Sequence, residues 1–249
     1  MEFDNSQLMT MLPEIVMLTG ALLVLLVDLM VRDNDRMWPY ALTLGTLLAT
    51  FAATISVSGG SEVVLGGNYV RDPMGDSLKS ALLLIAIPLF IYAREGLRKM
   101  DEWRTEYLTL GLFSVLGMMI MISANGFIAL YLGLELLTLS LYALVAYCRD
   151  SSKGAEAAMK YFVLGALASG LLLYGISMIY GATGKIDFPG IMQQISTDNA
   201  GDNTIFVFGL VFVVIGIAFK FGAVPFHMWM PDVYQVERDK PIGGDHDHH

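Results

Sequence analysis

A single cysteine, Cys148, stands in a chain of 249 residues, which excludes an intrachain disulfide and a cysteine-ligated iron–sulfur cluster. Basic residues are few as well: 15 Lys and Arg against 24 Asp and Glu leave a formal net charge of −9. Nucleic-acid binding needs basic patches and is excluded on that count. Charge of either sign is thin, at 16% of residues, where soluble domains carry about a quarter. The chain also lacks a Walker loop, a dinucleotide fingerprint and a haem motif, so by itself it performs no redox chemistry. Between the apolar runs there is neither a soluble domain nor a low-complexity linker.

What the sequence has in excess is apolar surface. Hydrophobic residues make up 55% and mean hydropathy is +0.58. The excess is gathered into long runs, the signature of membrane spans. Seven runs of suitable length lie near 12–31, 37–57, 78–93, 106–123, 126–147, 158–180 and 204–231. Each must be helical, because hydrocarbon offers a backbone no hydrogen-bond partner. The expected fold is all-α, a polytopic transmembrane bundle of about seven spans occupying residues 1–235, with a polar tail over 236–249.

The connections alternate in charge. Arg32, Arg36, Arg94, Arg98, Lys99, Arg104, Arg149 and Lys153 fall on one side, and Arg71, Lys79 and Lys185 on the other. Eight against three places the basic loops in the cytoplasm and the N-terminus outside. Tyr40, Trp103, Tyr107, Tyr147 and Tyr180 fall near span ends, where aromatic belts sit. The connections over 59–77 and 183–203 read as short polar caps.

Two charges stand inside apolar spans: Glu135 in LYLGLELLTLSLYALVAY and Lys220 in TIFVFGLVFVVIGIAFKFGAVPFHMW. Each costs roughly 2.5–3.5 kcal/mol at mid-span on insertion scales, so such residues face a bundle interior and pair. Burial penalises the charged form of both, while proximity to each other favours it. Groups balanced between these effects can exchange a proton when a partner moves. The bland reading is an ion pair that glues two helices together.

Lys160 is a third candidate, either a proton store or a lysine that snorkels to the interface, with Glu156 one turn before it. Gly165, Ala166, Ala168, Ser169 and Gly170 form a small-residue stripe beside it. His227 follows Lys220 by seven residues, and a neutral histidine there suits proton transfer or simply packs at the interface. Gly222 and Pro225 between them predict a break in the seventh span. Glu14 reads as a helix-start acid and Asp28 as a partner of Arg32. The sixteen methionines read as packing residues. The tail with His246, His248 and His249, beside Asp245 and Asp247, reads either as a weak divalent-metal binder or, preferably, as an unrelated extension, and no metal site is assigned.

YLGLELLTLSLYALVAY, GAEAAMKYFVLGALASGLLLYG and GIAFKFGAVPFHMWMPDVYQ together resemble the antiporter-like membrane subunits of the proton-translocating NADH–quinone oxidoreductase (complex I), subunit N above all. The likeness runs over residues 8–235. It implies an antiporter-like fold of inverted repeats, each with a broken helix, and proton transfer through Glu135, Lys160, Lys220 and His227. Redox energy would come from partner subunits, which hold NADH, FMN and iron–sulfur clusters, with quinone in the complex. Neighbouring antiporter-like subunits, other membrane subunits and the bilayer are the implied partners. The pattern would continue past Gln235 with further spans; here the tail matches nothing in it, as after a truncation or frameshift. Two competing readings are a subunit of a Mrp-type cation/proton antiporter or membrane-bound hydrogenase, and a non-transporting structural or assembly subunit.

Overall fold

A computed structural model describes residues 5–30, 37–99, 105–146, 152–198 and 203–223. Nearly all of this is helix. A short α1 (Asn5–Thr10) leads into α2 (Leu12–Met30), followed by α3 (Met37–Val57). After a β-hairpin come α4 (Pro73–Lys99), α5 (Glu106–Ile122), α6 (Phe127–Val145), α7 (Ser152–Thr183), α8 (Phe188–Asp198) and α9 (Thr204–Lys220). Of the seven runs expected to span, five are long and apolar enough to cross a membrane: Leu12–Met30, Met37–Val57, Pro73–Gly96, Phe127–Val145 and Ala158–Thr183. The other two, α5 and α9, are apolar but only 17 residues each. At 1.5 Å per residue they reach about 25 Å, short of a core about 30 Å thick. Residues past 223, where the seventh run was expected to continue, lie outside the described residues.

Two expectations are corrected. The run 78–93 is only the middle of α4, which starts earlier because Asp72 caps it: its Oδ1 accepts a hydrogen bond from Gly75 N at 2.6 Å. Pro73 follows at the first helical position, where its missing N–H costs nothing. Lys79 is therefore a residue of the helix's second turn rather than a loop charge, and it is 1% exposed.

Nor are the two connections simple polar caps. Residues 58–72 contain an antiparallel hairpin of β1 (Glu62–Val64) and β2 (Tyr69–Arg71), with Val63 opposite Val70. Its turn runs through Leu65, Gly66 and Gly67, all at positive φ (55°, 63° and 94°). A hairpin edge would expose unpaired backbone groups. Here the pairing continues: Val70 N donates to Ser123 O and Asn125 N to Asn68 O, both at 2.9 Å. Phe127 N then donates to Ile186 O and Phe188 N to Asn125 O, both at 3.0 Å. One strap of extended backbone thus crosses the helix ends from the hairpin to α8. The second connection holds α8, capped by Asp187 and burying Ile191.

Below the strap the helices form two packed groups. Met17, Leu47, Leu83, Phe90, Leu112 and Met119 belong to a core built by α2, α3, α4 and α5. Leu172, Ile176, Ile179, Ile191, Phe206 and Val213 form a second, from α7, α8 and α9. Between them stands α6, whose Phe127, Tyr131 and Leu134 pack on the second. Its other side is locked to α5: a Cβ at Gly117 would lie 2.7 Å from Gly133 O, and one at Gly133 2.8 Å from Gly117 O. The same device joins α7 to α9, where a Cβ at Gly175 would stand 2.7 Å from Gly209 O. In lipid, where apolar burial does not drive association, such close backbone approach holds helices together.

Candidate functional site

Glu135, Thr138, Ser169 and Lys220 come together where α6, α7 and α9 meet. The arrangement starts with the end of α9. Gly222 takes a left-handed φ of 62°. Its N–H donates to Phe219 O, and the next N–H, of Ala223, reaches back to Ala218 O, each at 2.9 Å. This crossed pair is a Schellman motif, which ends a helix while satisfying its last carbonyls. A side chain with a Cβ resists that φ, and glycine does not. The helix therefore stops with Lys220 in its last turn, where the partial negative charge of the macrodipole favours a cation.

The lysine's ammonium has three protons, and three oxygens receive them. Nζ lies 3.1 Å from Glu135 Oε1, 3.0 Å from Thr138 Oγ1 and 2.7 Å from Ser169 Oγ. Glu135 and Thr138 are three residues apart on α6 and so share a face. Ser169 comes from α7, and its hydroxyl donates to Glu135 Oε1 at 2.5 Å. The ring of Tyr142 stands 5.9 Å from the ammonium, within cation–π range. The side chains of Lys220 and Glu135 are 6% and 18% exposed. A charge pair so far out of water is held by satisfying every donor, and each donor here has a partner.

Lys160 is not part of this cluster. Its side chain is half exposed and pairs with Glu156 at 2.9 Å, one turn away. It lies nine residues before Ser169 on α7, about 13 Å along the axis. The small-residue stripe of α7 is divided between two faces. Gly165, Ala168 and Ser169 are buried, whereas Ala166 and Gly170 are exposed. Gly165 makes room for Tyr142, whose Oη would stand 1.8 Å from an added Cβ. His227, Pro225 and the histidine tail lie outside the described residues.

Composition and motif had not singled out a second buried ion pair. Lys79 Nζ stands 2.6 Å from Glu14 Oε1, joining α4 to α2, with side chains 1% and 6% exposed. The same ammonium donates to Tyr69 Oη at 3.2 Å and lies 5.3 Å from that ring's centroid. Arg71 and Asp76 are buried beside it. Burial, and then the Glu14 carboxylate, hold the Tyr69 hydroxyl well above the ordinary phenol range, so it stays a neutral hydrogen-bonding group. Glu14 and Lys79 both sit near helix starts, where charges are ordinary, and this placement hid them. The retrievable signal was Asp72-Pro73, a helix start that puts Lys79 six residues inside α4.

A family model described as NADH:quinone oxidoreductase/Mrp antiporter, TM, matches residues 124–238, which contain all four site residues. The NADH-quinone oxidoreductase subunit N of Thioalkalivibrio sulfidiphilus (strain HL-EbGR7) is 48% identical over 235 residues, covering 94% of this chain and 49% of that protein. Among solved structures, a chain of respiratory complex I from Thermus thermophilus with bound aureothin superposes with a TM-score of 0.71 at 29% identity, over 90% of this chain and 47% of that one. A chain of the archaeal membrane-bound sulfane sulfur reductase superposes at 0.78 with 23% identity, over 91% and 47%, and shares the fold.

A helical membrane bundle with a lysine at a helix end, paired to a glutamate on another helix, fits an antiporter-like membrane chain. Within that class, the chain is similar along 94% of its length to relatives named NADH-quinone oxidoreductase subunit N. It spans about half the length of the curated relatives it matches.

Proposed function

We propose that the chain is the N-terminal half of a proton-translocating membrane subunit of NADH–quinone oxidoreductase. On this reading Lys220 and Glu135 exchange protons as the state of the complex changes. The observation that carries it is the site itself: an ammonium at the end of a helix, held by one carboxylate and two hydroxyls at 2.7–3.1 Å. A lysine charge so placed is poised, because burial opposes it while Glu135 and the helix end support it. A shift of α9 against α6 alters that balance and moves a proton.

Electron transfer from NADH to quinone belongs to partner subunits, which hold the FMN and iron–sulfur clusters; this chain supplies no redox centre. Its partners are the other membrane subunits, including neighbouring antiporter-like ones, and the lipid of a bacterial inner membrane, with the N-terminus on the outer side. Lys160 would connect the site to the next, and His227 would lead towards the aqueous exit. The test uses the full-length subunit in its assembled complex. Lys220→Ala or Glu135→Ala is expected to lower proton pumping and the quinone reductase activity coupled to it. If both variants assemble and pump normally, the proposal fails.

A further inference from the structure

The two hydroxyls on Lys220 are not equivalent, and the difference lies in where their own protons point. Thr138 Oγ1 donates to Leu134 O at 2.9 Å, one turn back on α6. Its proton is committed to the backbone, so towards Lys220 it is an acceptor only. Ser169 Oγ makes no such backbone bond: it accepts from Lys220 Nζ at 2.7 Å and donates to Glu135 Oε1 at 2.5 Å. A hydroxyl carries one donor and two acceptor positions, so it can do both at once. The path through Ser169 is two short hydrogen bonds. The direct contact, Lys220 Nζ to Glu135 Oε1, is longer at 3.1 Å.

Resting on the proton-translocating reading above, we propose that Ser169 is the relay through which Lys220 and Glu135 exchange their proton, and that Thr138 is the fixed acceptor holding the ammonium in register. The step balances without any further reactant. An N–H bond of the Lys220 ammonium breaks as the proton joins Ser169 Oγ, and the original Ser169 O–H bond breaks as its proton joins Glu135 Oε1. A charged pair becomes a neutral amine and carboxylic acid, with the serine hydroxyl restored, its O–H now directed back at the amine. The reverse step retraces the same two transfers with no rotation, and rotation of that hydroxyl is needed only before a second transfer in the forward direction. Gly165 and Ala168 on the same face of α7 bring its backbone close enough for so short a side chain to reach both partners.

The experiment compares Ser169→Ala, Ser169→Thr and Thr138→Val in the full-length subunit within the assembled, reconstituted complex. Alanine is the strongest helix former, so Ser169→Ala removes the hydroxyl without weakening α7. It is expected to slow proton pumping roughly tenfold or more, the low side of what a placed proton-transfer group contributes. Ser169→Thr restores most of the rate, and Thr138→Val loses less than Ser169→Ala. In infrared difference spectra the Glu135 carboxyl band, identified by its loss in Glu135→Gln, shifts in Ser169→Ala and stays in place in Thr138→Val. Wild-type pumping in Ser169→Ala overturns the relay, and so does an unmoved carboxyl band. Equal losses in Ser169→Ala and Thr138→Val with no rescue by threonine also overturn it, since the hydroxyls would then only pack. Should Ser169→Ala fail to assemble, Ser169→Cys, a weaker donor of similar volume, takes its place; it should pump several-fold slower, and full-rate pumping overturns the relay. These outcomes are distinct from failure of the underlying reading, in which Lys220→Ala and Glu135→Ala pump normally.

Discussion

Among the described residues two lysine–glutamate pairs are buried between helices, and they are built differently. Glu14–Lys79 is the shorter, at 2.6 Å against 3.1 Å, and the more enclosed, at 1% and 6% exposure against 6% and 18%. It sits beneath the hairpin, inside the larger apolar core's end of the bundle, against Tyr69 and two further buried charges. Glu135–Lys220 sits at a helix end, between a helix welded to α5 and a pair welded to each other, and is lined by hydroxyls that lead from one charge to the other. Residue type is the same in both. Enclosure fits the first to a staple, and a hydroxyl path fits the second to the exchange proposed above.

The comparison breaks most visibly under double substitution. Replacing both members of a buried pair with apolar residues of similar size is often neutral for stability. Glu14→Leu with Lys79→Met is therefore expected to leave assembly and pumping near wild type. Glu135→Leu with Lys220→Met should also assemble but not pump. Vesicle pumping assays on the two doubles decide between staple and exchange site, and equal behaviour erases the distinction.

Single substitutions come next. Lys79→Ala leaves the Glu14 carboxylate buried and uncompensated, at a cost of about 3–5 kcal/mol. A large fall in the thermal midpoint of the purified protein is the expected reading, and a small one would mean that water reaches Glu14. Gly175→Val drives a Cβ to within 2.7 Å of Gly209 O, a backbone atom that cannot step aside. The α7–α9 pair must open, at about 1–3 kcal/mol. The same shift moves Ser169 away from Lys220, so pumping should fall along with stability. The smallest effect is expected from Tyr69→Phe. It removes one neutral hydrogen bond from Lys79, about 0.5–1.5 kcal/mol, with pumping unchanged. A pumping defect in Tyr69→Phe would move the first pair out of the staple class.

Much of this architecture is legible in sequence. The run 37–57 coincides with α3, and 106–123 differs from α5 by one residue. Long apolar runs have one structural solution in lipid. Glu135 and Lys220 stand out because a charge there is expensive wherever the fold puts it. Ser169 and Thr138 do not stand out, since a helix-interior serine or threonine usually bonds its own backbone. Thr43, Thr46, Thr50 and Thr54 on α3 do so here, each donating to the carbonyl four residues back. Only the position of α7 against α6 and α9 separates Ser169 from them. The hairpin and α8 were unreadable for another reason: their pairing joins segments over 50 residues apart, as Asn68 with Asn125 and Asn125 with Phe188.

The sequence by itself determined the class of molecule, the long apolar helices and the presence of two costly charges, because hydrophobic length and buried charge act locally and admit few outcomes. Tertiary structure decided that those charges meet, that a serine stands between them and a threonine beside them, and that a second pair lies sealed under the hairpin. A hydrogen bond depends on tenths of an ångström between residues up to 85 positions apart in the chain, and no local pattern encodes such a distance.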